Sequence, residues 1–324
     1  MEKYIKKQPI NKLKEGDVVK DIFVVKIKKS IRPYVKGYCF DLILSDASGG
    51  SLEYKFWGGQ DENKVREIFD LIKADCVVFV EGRVSLYNEK LQISGDEFSV
   101  LKVLEPEEYD AEFIMAEKKD VEEMYLALIS KINSMENQEL KKFLSNIFEE
   151  DLKDKFKKHP GAIQIHHNWI GGLLQHTLEV IEYCETSVKI FEELDRDLLL
   201  TGAMLHDIGK LEEIETTSRI KDTQKGQLIG HLVLGVDYVS KKLENSGLDE
   251  ILKNKILHLI VSHHGKAEFG SSKEPMIPEA VVLYYADELS SKTSEMIEFV
   301  KEHKEKTEDD FMYLYRHGKN VFLR

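Results

Sequence analysis

The sequence predicts an α+β chain in which a small β-rich domain precedes an all-helical domain. Residues 16–104 contain short runs of β-branched and alternating apolar residues, which are typical of strands. From residue 111 onward, apolar residues recur every three to four positions, as on one face of a helix. Between these stretches, Pro106 and its charged neighbours end the strand pattern. We therefore expect a first domain over 1–105, a helical linker over 106–160 that packs on the domain after it, and a helical domain over 161–324.

The first domain contains five predicted strands, at residues 18–27, 38–46, 51–57, 76–84 and 90–94. A helical rhythm over residues 63–73 lies between the third and fourth strands. Five strands with a helix after the third form the layout of the OB-fold, a small β-barrel that binds oligonucleotides. The predicted fold is therefore an OB-fold barrel followed by a helical bundle.

In an OB-fold, the second and third strands present aromatic rings to bases and lysines to phosphates. Phe40 shares a strand face with Leu42 and Leu44, so we expect it in the core. On the third strand, alternation places Lys55 and Trp57 on the side opposite its other aromatics. A single aromatic in such a strand is more often a core residue than a stacking platform. The residues that we predict to contact nucleic acid here are Trp57, Lys55, Tyr34 and Tyr87.

The overall composition is that of an ordinary globular protein, with 42% hydrophobic residues. No apolar run of eighteen residues occurs, so no membrane span is expected. The N-terminal segment lacks the apolar core of a secretory signal. The three cysteines are odd in number and far apart, which argues against a disulfide framework or a thiolate zinc site. We predict a cytoplasmic protein.

The formal net charge of −13 disfavours nucleic acid as a partner. The charge is uneven, however: residues 1–36 contain eleven lysines and arginines against four acids. A lysine-rich end is more often a solvated face, so this basic region only permits a nucleic-acid partner.

The helical domain carries a set of histidines and aspartates suited to metal binding. Predicted helices over 173–192, 196–213, 227–243, 253–262 and 278–300 each contain or lead into one of them. His206 and Asp207 are adjacent, and neighbouring helical residues point about 100° apart, so the two side chains can hold one ion between them. Lys210 follows one turn later and places a positive charge beside that ion. The other ligand-type residues are His176, His231, the pair His263-His264, and Asp287.

A lone histidine on an apolar helix is usually a satisfied core or surface residue. Here five separated elements, each on its own predicted helix, offer imidazole or carboxylate groups flanked by small or apolar residues. Such groups are costly to bury without a partner, so we predict that they converge on a metal site. Imidazole and carboxylate ligands suit Mn, Fe, Co, Ni, Zn or Mg, and the sequence does not choose among them.

The order His176, His206-Asp207, His231, His263-His264 and Asp287 resembles the signature of the HD superfamily of phosphohydrolases in its extended, two-ion form. Behind a β domain, four motifs together resemble the YhaM-type 3′→5′ exoribonuclease family over nearly the whole chain. They are Gly-Gly-Leu-Leu-Gln-His at 171–176, His-Asp-Ile-Gly-Lys at 206–210, Ser-His-His-Gly at 262–265 and Ala-Asp-Glu-Leu at 286–289. The resemblance implies an OB-fold joined to an HD domain, dependence on divalent metal such as Mn or Co, and stepwise hydrolysis of single-stranded RNA, with single-stranded DNA as an alternative.

The superfamily also implies roles for the individual residues. His176, His206, Asp207 and Asp287 would bind one ion, and Asp207 would bridge to a second ion at His231 and His263. Between His263 and His264 we favour His263, because adjacent residues seldom both bind one ion well, and we leave His264 open. Asp207 and Lys210 are the predicted catalytic residues, with Lys210 neutralising phosphate oxygens. Arg219, in the polar stretch 216–225, is a further predicted substrate contact.

Two other functions use the same residues. A nucleotide or cyclic-dinucleotide phosphohydrolase would need the same ligands but not the OB domain. A non-catalytic nucleic-acid-binding protein would need only the OB domain, although the complete ligand set disfavours it. Partners other than single-stranded nucleic acid, including a second copy of the chain, stay open.

Overall fold

The chain divides into two compact units, each built around its own buried apolar core. The computed structural model describes residues 3–48, 51–88, 90–110, 120–163, 169–216, 220–305 and 307–324. The division between the units falls between residues 110 and 120. The domain limits that we predict at 105 and 160 remain a prediction.

The first unit is a strand-rich domain in which all five predicted strands and the predicted helix are present. Two additional short strands, the second and the seventh, were not predicted, since three or four residues are too few to show a two-residue period. The elements are β1 (Val18–Lys28), β2 (Arg32–Tyr34), β3 (Gly37–Ser45), β4 (Ser51–Trp57), α1 (Glu62–Leu71), β5 (Val77–Tyr87), β6 (Lys90–Asp96) and β7 (Leu101–Leu104).

The strand pairing of this unit is that of an OB-fold. β1 pairs with β3, β3 with β4, β4 with β6, β6 with β5, and β5 returns to β1. The β4–β6 pair is parallel and the others are antiparallel. The fold class predicted from the sequence is therefore confirmed.

Strand alternation in this unit separates core residues from surface residues as predicted. Phe40, Tyr54 and Phe56 are buried in the interior, where the Phe40 and Phe56 rings lie 5.1 Å apart. Burying a side chain of this size contributes about 1.5–3 kcal/mol. Lys55 and Trp57 lie on the opposite side of β4 and are partly exposed. The outer face of β4 is thus free to present a lysine and an indole.

The second unit is predominantly helical. Several of its helices begin at an aspartate or asparagine whose side chain accepts backbone N–H groups of the first turn, as at Asp120, Asp195 and Asp249. The helices are α2 (Val121–Asn133), α3 (Gln138–Ser145), α4 (Lys153–Lys158), α5 (Gly172–Ile190), α6 (Arg196–Leu205), α7 (Lys210–Glu213), α8 (Gln224–Ile229), α9 (His231–Leu243), α10 (Glu250–Ser262) and α11 (Pro278–His303), with a π-helical turn at Asn146–Asp151.

Helices α2 to α4 share one core with the helices that follow them. Leu128 of α2, Leu144 of α3 and Phe156 of α4 belong to the same buried cluster as Leu199 of α6 and Leu259 of α10. The segment predicted to be a linker therefore packs against the later helices in one apolar core.

Several segments of the second unit differ from the prediction, including the helix expected over 227–243, where α8 ends at Ile229 and α9 begins at His231. The helix expected over 196–213 is interrupted at residues 206–209, which form a turn. The polar stretch after it contains two short paired strands, β8 (Ile214–Thr216) and β9 (Ile220–Asp222), and the start of α8. The C-terminal tail contains the antiparallel pair β10 (Phe311–Leu314) and β11 (Lys319–Phe322). Among the described residues, no helix has both the length and the apolar character needed to cross a bilayer.

Candidate metal centre and nucleic-acid face

The turn between α6 and α7 carries His206 and Asp207. Sequence periodicity predicted a continuous helix here, but the Lys210 backbone N–H donates to the Asp207 carbonyl in a tight turn. At Gly209 the turn packs closely against α9, because a Cβ at this position would lie 2.0 Å from the His231 carbonyl oxygen and 2.6 Å from the Gly235 nitrogen. The missing side chain lets the first turn of α9 approach the backbone of the turn. His231 is thereby brought beside Asp207.

The first group of ligand-type side chains faces one oxygen of Asp207. Asp207 Oδ2 lies 3.4 Å from His176 Nε2 and 3.3 Å from His206 Nε2. Asp287 Oδ1 lies 3.1 Å from His176 Nε2 and 4.0 Å from His206 Nε2. We call these four residues the first cluster. They come from α5, the α6–α7 turn and α11, so three distant parts of the sequence converge here.

The second group faces the other oxygen of Asp207. Asp207 Oδ1 lies 3.6 Å from His231 Nε2 and 3.8 Å from His263 Nε2. His264 Nε2 lies 3.3 Å from His231 Nε2, so His264 joins the same group. We call His231, His263 and His264, with Asp207 Oδ1, the second cluster. Ligand atoms of the three histidines all lie within 4.8 Å of one another, as do those of His176, His206 and Asp207. The sequence favoured His263 over His264, whereas the structure brings both to this cluster.

Hydrogen bonds from the far side of each imidazole determine which nitrogen faces the clusters. His206 Nδ1 donates to the Ala203 carbonyl at 2.9 Å, and His263 Nδ1 donates to the Ile260 carbonyl at 2.7 Å. A carbonyl can only accept, so in the neutral rings Nδ1 carries the proton and Nε2 presents a lone pair. This is the tautomer that binds a metal through Nε2.

Two glutamates support His231 and His176. Neither glutamate was predicted from the sequence. Glu213 Oε1 accepts from His231 Nδ1 at 3.0 Å. His176 Nδ1 lies 3.0 Å from the Ser290 hydroxyl, which donates to Glu179 Oε2 at 2.8 Å. Metal-binding histidines commonly have such carboxylate support. Nothing in the local sequence distinguishes Glu213 from its acidic neighbours, so no sequence signal identifies it.

The buried clusters favour positive charge. His206 and His263 are fully buried, and Asp207 is 3% exposed. Burial would raise the pKa of Asp207, but Lys210 and the neighbouring histidines hold that pKa well below its ordinary value. Burial would likewise lower the pKa of His176, yet its hydrogen bonds with Asp207 and Asp287 raise the pKa to about 9. The carboxylates of Asp207 and Asp287 therefore stabilise positive charge within the first cluster.

A buried atom without a partner marks the second cluster. Among the described residues, His263 Nε2 has no hydrogen-bond partner, although it is shielded from solvent. Burial, with His206 and His264 close by, holds the pKa of His263 well below its ordinary value, so its ring is neutral and Nε2 keeps a lone pair. An unsatisfied buried nitrogen is unfavourable unless something binds it. The nitrogen and oxygen donor set therefore fits divalent cations.

Lys210 lies at the edge of the first cluster. Its Nζ is 2.7 Å from Asp207 Oδ2, and its side chain is 18% exposed. Asp207 outweighs the effect of burial and raises the pKa of Lys210, so the ammonium stays charged. Because the Lys210 side chain is partly exposed, its ammonium group can contact an anion that lies beside the first cluster.

In the first unit, the four predicted nucleic-acid contacts lie on one outer face. The rings of Tyr34 and Trp57 are 4.8 Å apart. Lys55 Nζ lies 4.8 Å from the centre of the Trp57 ring and 5.7 Å from that of Tyr87. Beside Lys55 on the neighbouring strand, buried Asp41 pairs with Arg32 at 2.5 Å, and its other oxygen lies 4.0 Å from Lys55 Nζ. We call Tyr34, Lys55, Trp57 and Tyr87 the aromatic face. The remaining predicted contact, Arg219, lies outside the described residues.

Comparison with known proteins links both units to characterised families. The HD domain family matches residues 173–292, a range that contains all of the predicted metal ligands. The family described as the OB-fold nucleic acid binding domain matches residues 24–101.

Three curated bacterial proteins, each named 3′-5′ exoribonuclease YhaM, are similar to this chain. The protein of Geobacillus sp. (strain WCH70) is 31% identical over 78% of this chain and 75% of its own length. The protein of Bacillus pumilus (strain SAFR-032) is 30% identical over 79% of each chain. The protein of Bacillus subtilis (strain 168) is 31% identical, again over 79% of each chain. The similarity thus extends well beyond the range matched by either domain family alone.

Proposed function

Because this chain belongs to the YhaM family of 3′-5′ exoribonucleases, we propose that it hydrolyses single-stranded RNA from the 3′ end with two divalent cations bound at its two clusters. The family and the HD domain make it a metal-dependent hydrolase. The number of cations and the residues that hold them are our proposal.

The position of Asp207 carries this proposal. Its two carboxylate oxygens face different groups of imidazoles, at 3.3–3.4 Å on one side and 3.6–3.8 Å on the other. A carboxylate in this position can bridge two cations. His176, His206 and Asp287 would complete the first cation site. His231, His263 and His264 would complete the second, with the Nε2 atoms of His231 and His263 facing Asp207 Oδ1.

The chain's own residues position the substrate around these sites. When bound, the two cations activate a water molecule and offset the charge that develops on the phosphate. Lys210 would leave its contact with Asp207 to donate to a non-bridging phosphate oxygen. Asp207 and Asp287 stay ionised, because the neighbouring cationic groups hold the pKa of each well below its ordinary value despite burial. No serine or cysteine nucleophile is required.

The aromatic face supplies the proposed contact with single-stranded RNA. Tyr34, Trp57 and Tyr87 offer ring surfaces that can stack on bases irrespective of sequence. Lys55, held between two of these rings, offers a positive charge for a phosphate. A chain with negative net charge can bind RNA at such a surface, because the contact depends on the charge and the rings of the aromatic face and not on the net charge of the chain.

The test is cleavage of 5′-labelled single-stranded RNA by the purified full chain in Mn²⁺. We expect a ladder that shortens from the 3′ end, and no products in EDTA. The variant Asp207→Ala should be inactive, whereas Asp237→Ala, which removes a half-exposed carboxylate of α9, should match the wild type. Internal cuts, hydrolysis of free nucleotides alone, or full activity of Asp207→Ala would each contradict the proposal.

A further inference from the structure

The two cation sites differ in how their histidines are held in place. In the first cluster, His206 is oriented by a backbone carbonyl, and His176 Nδ1 contacts the Ser290 hydroxyl, which donates to Glu179. In the second cluster, the side chain of Glu213 binds His231 directly. A direct carboxylate contact orients an imidazole and increases its basicity more than a carbonyl does. The second cluster therefore depends on one charged side chain that is not itself a ligand.

Glu213 holds both the ring and the backbone of His231. Its Oε1 accepts from His231 Nδ1 at 3.0 Å and from the His231 backbone N–H at 2.9 Å. His231 is the first residue of α9, so its N–H is one of the unsatisfied donors at that helix end. One carboxylate oxygen thus determines where α9 begins and which direction His231 Nε2 faces.

The backbone of Glu213 is held in turn by α8. The Glu213 carbonyl accepts from Thr223 N at 2.8 Å, and the Thr223 hydroxyl accepts from Gly226 N at 2.8 Å. A Cβ added at Gly226 would lie 2.3 Å from the Glu213 carbonyl oxygen and 2.8 Å from its Cα. Any side chain at this position would push Glu213 away from α8. The start of α8 therefore determines the position of Glu213.

We propose that Glu213 is the positioning residue of the second cation site, and that α8 controls the affinity of that site through Gly226. This inference rests on the proposed two-cation function. It adds that the second site can be weakened without changing the first, because no contact of Glu213 described above reaches His176, His206 or Asp287. Displacing α8 would then release one cation while the other stays bound.

The experiment is a titration of the metal-free full chain with Mn²⁺, in which free Mn²⁺ is followed by its electron paramagnetic resonance signal. We expect two equivalents to bind to the wild type. Glu213→Ala should bind the first equivalent normally and the second about 10- to 100-fold more weakly. Glu213→Gln keeps an oxygen that accepts from His231, so it should recover most of the affinity. Gly226→Ala should behave like Glu213→Ala although it contacts no ligand.

Asp237→Ala is the matched control, because it removes an exposed acid of α9, the helix that His231 begins, and its partner Lys241 lies on that same helix and not on α8. It should bind two equivalents with unchanged affinity. Circular dichroism of each metal-free variant identifies any that fails to fold, and Glu213→Ala, compared with Glu213→Gln, tests the positioning role of Glu213 even if Gly226→Ala does not fold.

Unchanged affinity for the second equivalent in Glu213→Ala would overturn the inference, as would equal weakening in Asp237→Ala. A wild type that binds a single equivalent would overturn it as well. If Glu213→Ala selectively loses the second equivalent but the wild type does not cleave RNA, the positioning role stands and the proposed function fails. The two failures are therefore distinguishable.

Discussion

The metal clusters and the aromatic face differ in how strongly the fold constrains their side chains. In the clusters, His206 and His263 are fully buried, and each Nδ1 is bound to a backbone carbonyl. On the aromatic face, Tyr87 is 60% exposed, and Trp57 is partly exposed beside Tyr34. Chemistry that needs fixed geometry is thus placed in a buried, hydrogen-bonded setting, whereas sequence-tolerant stacking is placed on an accessible surface. This contrast predicts different kinds of loss when each region is mutated.

The largest expected effect is the loss of a carboxylate from the first cluster. Asp287→Ala removes an oxygen that lies 3.1 Å from His176 Nε2. We expect kcat for RNA hydrolysis to fall about 10³-fold or more, since several kcal/mol of transition-state stabilisation depend on the bound cation. Steady-state kinetics in Mn²⁺ check this, with Glu288→Ala as the neighbouring control. Activity within tenfold of the wild type would remove Asp287 from the centre.

The next effect concerns a residue beside the clusters that is not a proposed ligand. Lys210→Ala should lower kcat about 10²-fold with little change in KM, because its charge matters most when the phosphate gains negative charge. Mn²⁺ stoichiometry should stay at two, which separates Lys210 from the ligands. A variant that loses cations but keeps kcat at saturating metal would assign Lys210 a structural role.

A smaller effect is expected on the aromatic face. Trp57→Ala should weaken binding of a long single-stranded RNA by about 1–3 kcal/mol, the value of one base stacked on an aromatic ring. KM for long RNA should rise while kcat for a dinucleotide is unchanged. Fluorescence anisotropy and kinetics measure the two quantities, and Phe191→Ala, an exposed aromatic of the other unit, is the control. Equal losses on long and short substrates would place Trp57 in the chemistry instead.

The smallest effect should be electrostatic. Lys55→Ala removes one proposed phosphate contact, so the plot of log affinity against log salt concentration should become shallower by about 0.7, the value for one contact on a single strand. Binding isotherms at several salt concentrations measure this slope. An unchanged slope would mean that Lys55 supports Trp57 without contacting phosphate.

The sequence predicted the convergence of the cluster residues because their chemistry is restrictive. A buried carboxylate such as Asp207 needs partners, and imidazoles on separate helices are among the few that can provide them. Strand alternation predicted that Trp57 and Lys55 lie on the outer side of β4, because a seven-residue strand shows the two-residue period clearly. The supporting residues were not found, since Glu213 is chemically equivalent to Glu212 in the sequence and Ser290 to Ser291. Only the folded backbone distinguishes them.

The periodicity of the sequence also did not predict the short breaks between helices. Residues 206–209 have ordinary helical patterning, and the close packing of α9 on Gly209 is a tertiary contact that this pattern does not indicate. Strands of three residues, such as β8 and β9, are too short to display a period. The larger elements, in contrast, have enough turns or alternations for their apolar residues to indicate the buried side.

The most direct test of a two-cation centre on Asp207 is an anomalous difference map from a crystal of the full chain grown with Mn²⁺. Two peaks should appear, one beside Asp207 Oδ2 among His176, His206 and Asp287, and one beside Asp207 Oδ1 among His231, His263 and His264. A single peak, or peaks away from Asp207, would contradict it.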